Sequence, residues 1–169
     1  MPLVALDSLP DDARTWVFAA EPALSGARAD QVLAAVDDYL AGWQAHGHPL
    51  KVGRTFAEHR FLVVAVDQRT EGASGCSIDG LFRALQGIER AAGVSLVAGG
   101  RAFWRDQGGA IRGGTRDAFG AAAARGEVGR GTHVFDTTVT TLGDWRERFE
   151  RTASESWHAQ LLHAGAAAR

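Results

Sequence analysis

Apolar residues at Val32, Leu33, Val36, Leu40 and Trp43 recur at the three-to-four spacing of one helical face, with Asp30, Asp37 and Asp38 elsewhere on the wheel. This pattern predicts a helix over Ser25–Trp43. Ser25 is placed to cap its start and Gly47 to close it, ahead of His48-Pro49, which cannot continue a helix. A second stripe, Ile78, Leu81, Phe82, Leu85, Ile88 and Ala92, predicts a helix ending near Gly93. Between the two, Leu50, Val52, Arg54 and Phe56 alternate as a half-buried strand does, and Phe61–Val66 is the unbroken apolar run of a central strand. Ala57–Arg60 is left as a hairpin turn, and Trp16–Ala20 and Val94–Ala98 read as two further short strands. Strand-helix-strand-strand-helix-strand is the order of the split βαβ, so the pattern predicts an α+β protein that opens with a ferredoxin-like antiparallel sheet carrying two helices on one face.

The character of the chain changes at Ala98-Gly99-Gly100, which reads as a joint. Beyond it Arg101–Arg105 and Ala110–Arg112 read as a hairpin around Asp106-Gln107-Gly108-Gly109, Thr115 as the cap of a short helix through Ala124, and Thr132–Phe135 as a strand. Glu155-Ser156-Trp157-His158 is expected on a terminal helix, with Ala164–Arg169 frayed. The expected organisation is therefore residues 1–98 as the first domain, 99–150 as a small module and 151–169 as a C-terminal helix and tail.

Composition narrows the function classes. The 169 residues carry 46% hydrophobic side chains, enough to bury a core, and no apolar stretch approaches a membrane span. The start, Met1-Pro2-Leu3-Val4 followed by Asp7, Asp11 and Asp12, lacks the basic opening of a signal peptide, so a cytoplasmic location is expected. The chain carries 18 basic and 20 acidic residues; residues 1–100 hold 8 basic and 12 acidic, and the remainder holds 10 and 8. Neither part has the charge of a nucleic-acid-binding surface. One cysteine cannot form an internal disulfide and excludes a multi-cysteine zinc site, and no metal or cofactor is implied. All but one of the basic residues are arginine, which reads as base composition of the genome rather than as chemistry.

The one cysteine, Cys76, sits in Ser74-Gly75-Cys76-Ser77-Ile78-Asp79 between the central strand and the second helix. A thiol at a helix N-terminus meets unpaired amides and the positive end of the dipole, which favour a thiolate or a bound anion. As a nucleophile it would use the N–H groups of Ser77 and Ile78 to hold an oxyanion and a histidine as base. The histidines are His46, His48, His59, His133, His158 and His163, and His158 is the candidate partner. The competing reading makes Ser74 or Ser77 the helix cap, Asp79 a complement to the dipole and Cys76 a small buried hydrophobe. His46 and His48 flank a helix stop and read as C-terminal capping residues rather than as a metal pair. Arg60 and Asp67 bracket the central strand and join Ser74, Gly75, Ser77 and Asp79 as candidate ligand-binding residues, although an aspartate ending a strand also forms turns. Five tryptophans, Trp16, Trp43, Trp104, Trp145 and Trp157, are expected mostly in the core, with Trp104 and Trp145 the candidate walls of a peptide groove.

Ala102-Phe103-Trp104-Arg105-Asp106, Gly108-Gly109, Gly113-Gly114-Thr115, Phe119, Gly126-Glu127-Val128 and Thr132-His133-Val134-Phe135 together resemble the bacterial version of the GYF domain. That resemblance covers about residues 101 to 145 and implies a small α+β adaptor that binds peptides. The tyrosine usual after the first aromatic is absent, and glycine-threonine stands where glycine-proline is usual before the helix. The whole chain is also similar to a family of small bacterial proteins sometimes labelled ABC-transporter ATPases. The shared stretches are Ala13-Arg14-Thr15-Trp16-Val17, Trp43 with His46–Leu50, Arg60–Val63, Ser74–Asp79, Val134–Thr138 and Ser156-Trp157-His158. An ATPase of that type needs a glycine loop ending in lysine and a hydroxyl residue, yet Lys51, the only lysine, follows His48-Pro49-Leu50, so the chemistry rejects that label.

The expectation is a binding or adaptor protein with a small-ligand or peptide site. Its partners would be an unidentified protein or peptide, a small anion such as phosphate or a carboxylate, or a second copy through open sheet edges, and neither nucleic acid nor membrane. The alternative is a small cysteine-dependent hydrolase or transferase using Cys76.

Overall fold

The computed structural model describes residues 3–164. It is a mixed α+β structure with five helices and several sheets. Of the stretch expected to be frayed, only Ala164 falls among the described residues. The chain forms two compact units, one of residues 1–98 with 138–146, the other of residues 99–137 with 147–169. The second unit thus holds both the glycine-rich segment and the C-terminal segment, while a nine-residue stretch between them returns to the first unit.

The first unit is built on β1 (Leu3–Ala5), β2 (Arg14–Ala19), α1 (Gly26–Ala41), the two-residue strands β3 (Gln44–Ala45) and β4 (His48–Pro49), β5 (Val52–Ala57), β6 (Phe61–Val66) and α2 (Gly75–Ala92). The sheet order is β1-β5-β6-β2, with β6 antiparallel to both neighbours and β1 parallel to β5. Every residue of β6 is buried, which is why its sequence is apolar on both faces. Leu62, Val64 and Val66 of one face pack with Val36 and Leu40 of α1 and Leu81 and Leu85 of α2, so both helices lie on the same side. Ala65 on the other face joins Leu6, Leu9, Ala13 and Leu142. Three residues, Glu58-His59-Arg60, join β5 to β6: Glu58 and His59 take positive φ, and the Arg60 N–H closes the turn on the Ala57 carbonyl at 3.0 Å.

Three sequence expectations are corrected here. Val94–Ala98 is not a strand: a carboxylate oxygen of Glu89 accepts from the N–H groups of Leu96 (2.8 Å) and Val97 (3.2 Å), and Ser95 makes an isolated bridge to Glu21, beyond the end of β2. The fourth strand is instead β1, too short for its three residues to show a period. The first helix stops at Gly42 rather than Gly47, and His46-Gly47 forms the positive-φ turn of the β3–β4 hairpin, so neither His46 nor His48 caps the helix.

The second unit contains β7 (Arg101–Arg105), β8 (Ile111–Thr115), α3 (Arg116–Ala124), β9 (His133–Phe135), β10 (Glu150–Thr152) and α5 (Ala159–Ala164), in a sheet of order β10-β9-β7-β8. α4 (Leu142–Arg148) precedes β10. The β7–β8 turn is closed by Asp106, whose carboxylate accepts from the N–H groups of Gly108 (2.9 Å) and Ala110 (3.0 Å). Thr115 caps α3 by accepting from the Ala118 N–H at 3.0 Å. Trp104, Phe119, Val134 and Ala153 form the core, joined by Trp157 and Leu161. His158 lies in the turn that precedes α5 rather than on the helix predicted there.

Candidate functional site

Ser74 and Ser77 form a reciprocal cap at the start of α2. The Ser74 hydroxyl accepts from the Ser77 N–H at 3.2 Å, and the Ser77 hydroxyl accepts from the Ser74 N–H at 2.8 Å. The Ile78 N–H bonds the Ser74 carbonyl at 2.9 Å. Both amides expected to hold an oxyanion are therefore engaged. The donors without a partner among the described residues are those of Gly75 and Cys76, the two residues before them. Cys76 is exposed, which corrects its reading as a buried hydrophobe.

These residues form one wall of a cleft of about 610 Å³. The opposite wall comes from the end of α1 and the β3–β4 hairpin: Tyr39, Trp43, Gln44 and His46. Trp43 fixes that wall, because its indole N–H donates to the Ser77 carbonyl at 2.9 Å and its ring packs edge-on to Trp16 with centroids 5.9 Å apart. The Tyr39 hydroxyl lies over Gly80, where a Cβ would come within 2.9 Å of it, so a larger residue there would push the Tyr39 side chain aside. Burial raises the Tyr39 pKa and nearby Arg83 partly offsets this, so its hydroxyl stays protonated. Among the described residues no Asp, Glu, Lys or Arg lines the cleft.

The remaining candidates lie elsewhere. Asp67 is buried and fully used: it accepts from the backbone N–H of Arg69 at 3.0 Å, from the Arg69 guanidinium at 2.9 and 2.7 Å, and from Lys51 at 3.4 Å. These donors, Arg69 first, hold its carboxyl far below the usual carboxylate range. Arg60 sits at the opposite end of β6 from α2's approach, donating to the Ala20 carbonyl at 3.0 Å, and burial lowers its pKa against the opposing effect of Glu21. Asp79 is exposed and does not line the cleft.

His158, in the second unit, is fully buried. Its ring stacks on Trp157 with centroids 3.8 Å apart and meets the Phe119 ring edge-on at 5.5 Å. Nδ1 is 2.8 Å from the Ser156 hydroxyl, and Nε2 is buried with no partner among the described residues. Burial pulls its pKa down to about 4, with Asp136 opposing and Arg116 adding to the shift. Trp104 is buried edge-on to Phe119, and Trp145 is half-buried beside the Leu6–Leu142 cluster of the first unit. The two rings expected to form one groove thus belong to different units. Among the described residues no group of three or more His, Cys, Asp and Glu side chains is placed to hold a metal, and no helix is long and apolar enough to cross a membrane.

Sequence reasoning found the Ser74–Cys76 wall and missed the Tyr39–His46 wall. The usable signal was a tryptophan, Trp43, just past the end of a helix and shortly before the His46-Gly47 turn. No protein-family model matches the chain, and neither the curated proteins nor the solved structures hold a match to it.

Proposed function

We propose that this is a bacterial cytoplasmic binding protein, and that the cleft at the start of α2 takes a small anionic group, a phosphate or a carboxylate. The reading rests on one observation: the partnerless Gly75 and Cys76 amides open, at the positive end of an 18-residue helix, into an uncharged cleft walled by Tyr39 and Trp43. We take the first unit as ferredoxin-like in its three central strands and two helices. The second is taken as a GYF-like module that gives the protein its adaptor character. The test is to titrate inorganic phosphate and acetate while following Cys76 alkylation and thermal unfolding. Saturable protection of the thiol together with a rise in melting temperature is expected, about 1.4 kcal/mol at tenfold excess over Kd. Alkylation that ignores both anions up to tens of millimolar would remove the reading.

A second reading is favoured by His46 lining the same cleft as the exposed thiol. In it the protein is a small thiol-dependent hydrolase or transferase, with Cys76 as nucleophile and His46, in place of His158, as base. His46→Ala would then slow inactivation by thiol reagents at neutral pH about tenfold or more; an unchanged rate excludes it.

A further inference from the structure

The antiparallel helices α1 and α2 leave a groove of about 590 Å³ between them, walled by Val32 and Ala35 on one side and Ala84, Gly87, Ile88 and Ala91 on the other. Gly87 is the informative position. A glycine inside a helix costs about 1 kcal/mol relative to alanine, and close packing is the usual reason to keep one. Gly80, on the same helix, has that reason in the Tyr39 hydroxyl, whereas a Cβ at Gly87 would meet nothing within 4 Å. Packing does not require glycine there, and its absent side chain is what keeps the trough open.

The groove also has a polar end. Arg28 donates through Nη2 to the carbonyls of Ala92 (2.7 Å) and Gly93 (3.1 Å), which ties the start of α1 to the end of α2. Its Nε and Nη1 have no partner among the described residues, and the Ser25 side chain makes no capping bond to the first turn of α1. A cation and an uncapped helix start therefore stand at one end of an apolar trough. On the α2 side the groove runs from Ala84 to Ala92, a rise of about 12 Å that matches the extended tail of a medium-chain fatty acid, whereas a docking helix would be gripped over only two turns.

We propose that this groove binds a medium-chain fatty acid, with its alkyl tail between Val32 and Gly87 and its carboxylate on Arg28. The site is separate from the cleft at the start of α2 and does not depend on it. Calorimetric titration with dodecanoate below its micelle concentration, with dodecanol as the uncharged control, tests it. One saturable site is expected. Gly87→Leu should abolish binding while leaving the melting temperature of the unliganded protein unchanged or higher, because the new side chain enters open space. Arg28→Gln should weaken dodecanoate about tenfold and leave dodecanol unaffected. Cys76 alkylation should ignore both ligands. The proposal is overturned by absence of binding to the intact chain, by equal binding to the Gly87→Leu variant, or by equal losses for acid and alcohol on Arg28→Gln. It is also overturned if Gly87→Leu changes the oligomeric state while dodecanoate never binds, which would assign the groove to a second copy.

Discussion

The start of α2 in the first unit and the Ser156-Trp157-His158 turn in the second each offer a side chain with catalytic chemistry, and the fold treats them oppositely. Cys76 stands one residue before the buried stripe of α2, which begins with Ser77 and continues through Leu81 and Leu85, so its thiol points to water. His158 follows a tryptophan that stacks on it and meets Phe119, so its ring is closed away with one nitrogen orphaned. Reactivity requires both intrinsic chemistry and access, and here access is set by one step around a helix or one ring of aromatic packing. Asp67 makes the same point for charge: bonding to Arg69 and Lys51 leaves it little capacity for a ligand.

The largest effect that could break this contrast lies at His158. Its pKa falls from 6.5 in the unfolded chain to about 4 in the fold. Above pH 6.5 the imidazole is neutral in both states and adds nothing to the pH dependence. As the pH falls from 6.5 to 4 the unfolded chain takes up a proton that the fold refuses, so stability drops; below 4 both states are protonated and the loss is complete. It amounts to roughly 3 kcal/mol. Denaturant unfolding of the intact chain and of His158→Phe should therefore diverge with pH, the variant losing less between pH 6.5 and 4. Parallel pH curves would mean that the ring is hydrated after all.

A smaller effect tests the other region. Ser74→Ala removes the acceptor for the Ser77 N–H, and loss of such a cap costs about 1 kcal/mol. Because Ser74 also positions the wall of the cleft, anion protection of Cys76 should weaken with it. A stability loss with protection intact would separate the cap from the site.

What could be read from the sequence follows the range of the forces involved. The stripes of α1 and α2 and the all-apolar β6 were legible because periodicity over many residues reports burial directly. The Ser74 cap was legible because it is local. The strand expected at Val94–Ala98 failed because a side chain seven residues earlier, Glu89, takes its amides, and no apolar pattern records that bond. The Tyr39–His46 wall failed for a related reason: Trp43 reaches Ser77 across 34 positions, and only the packed helices bring them together. The burial of His158 depends on Phe119 in the same way.

The smallest effect is the sharpest discriminator. Cys76→Ser changes one exposed atom at a helix start, and surface substitutions of this kind stay within about 0.5 kcal/mol. The folded protein should therefore be as stable as before, while the parent chain is alkylated to completion without unfolding. The histidines give the complementary reading on the same sample. His46, His48, His59, His133 and His163 are exposed and should be carbethoxylated by diethyl pyrocarbonate under native conditions, and His158 should react only when denaturant opens the second unit. Mass spectrometry of the digested protein scores both reactions at once. A native protein with modified His158 and unmodified Cys76 would invert the assignment and move the search for chemistry from α2 to the turn before α5.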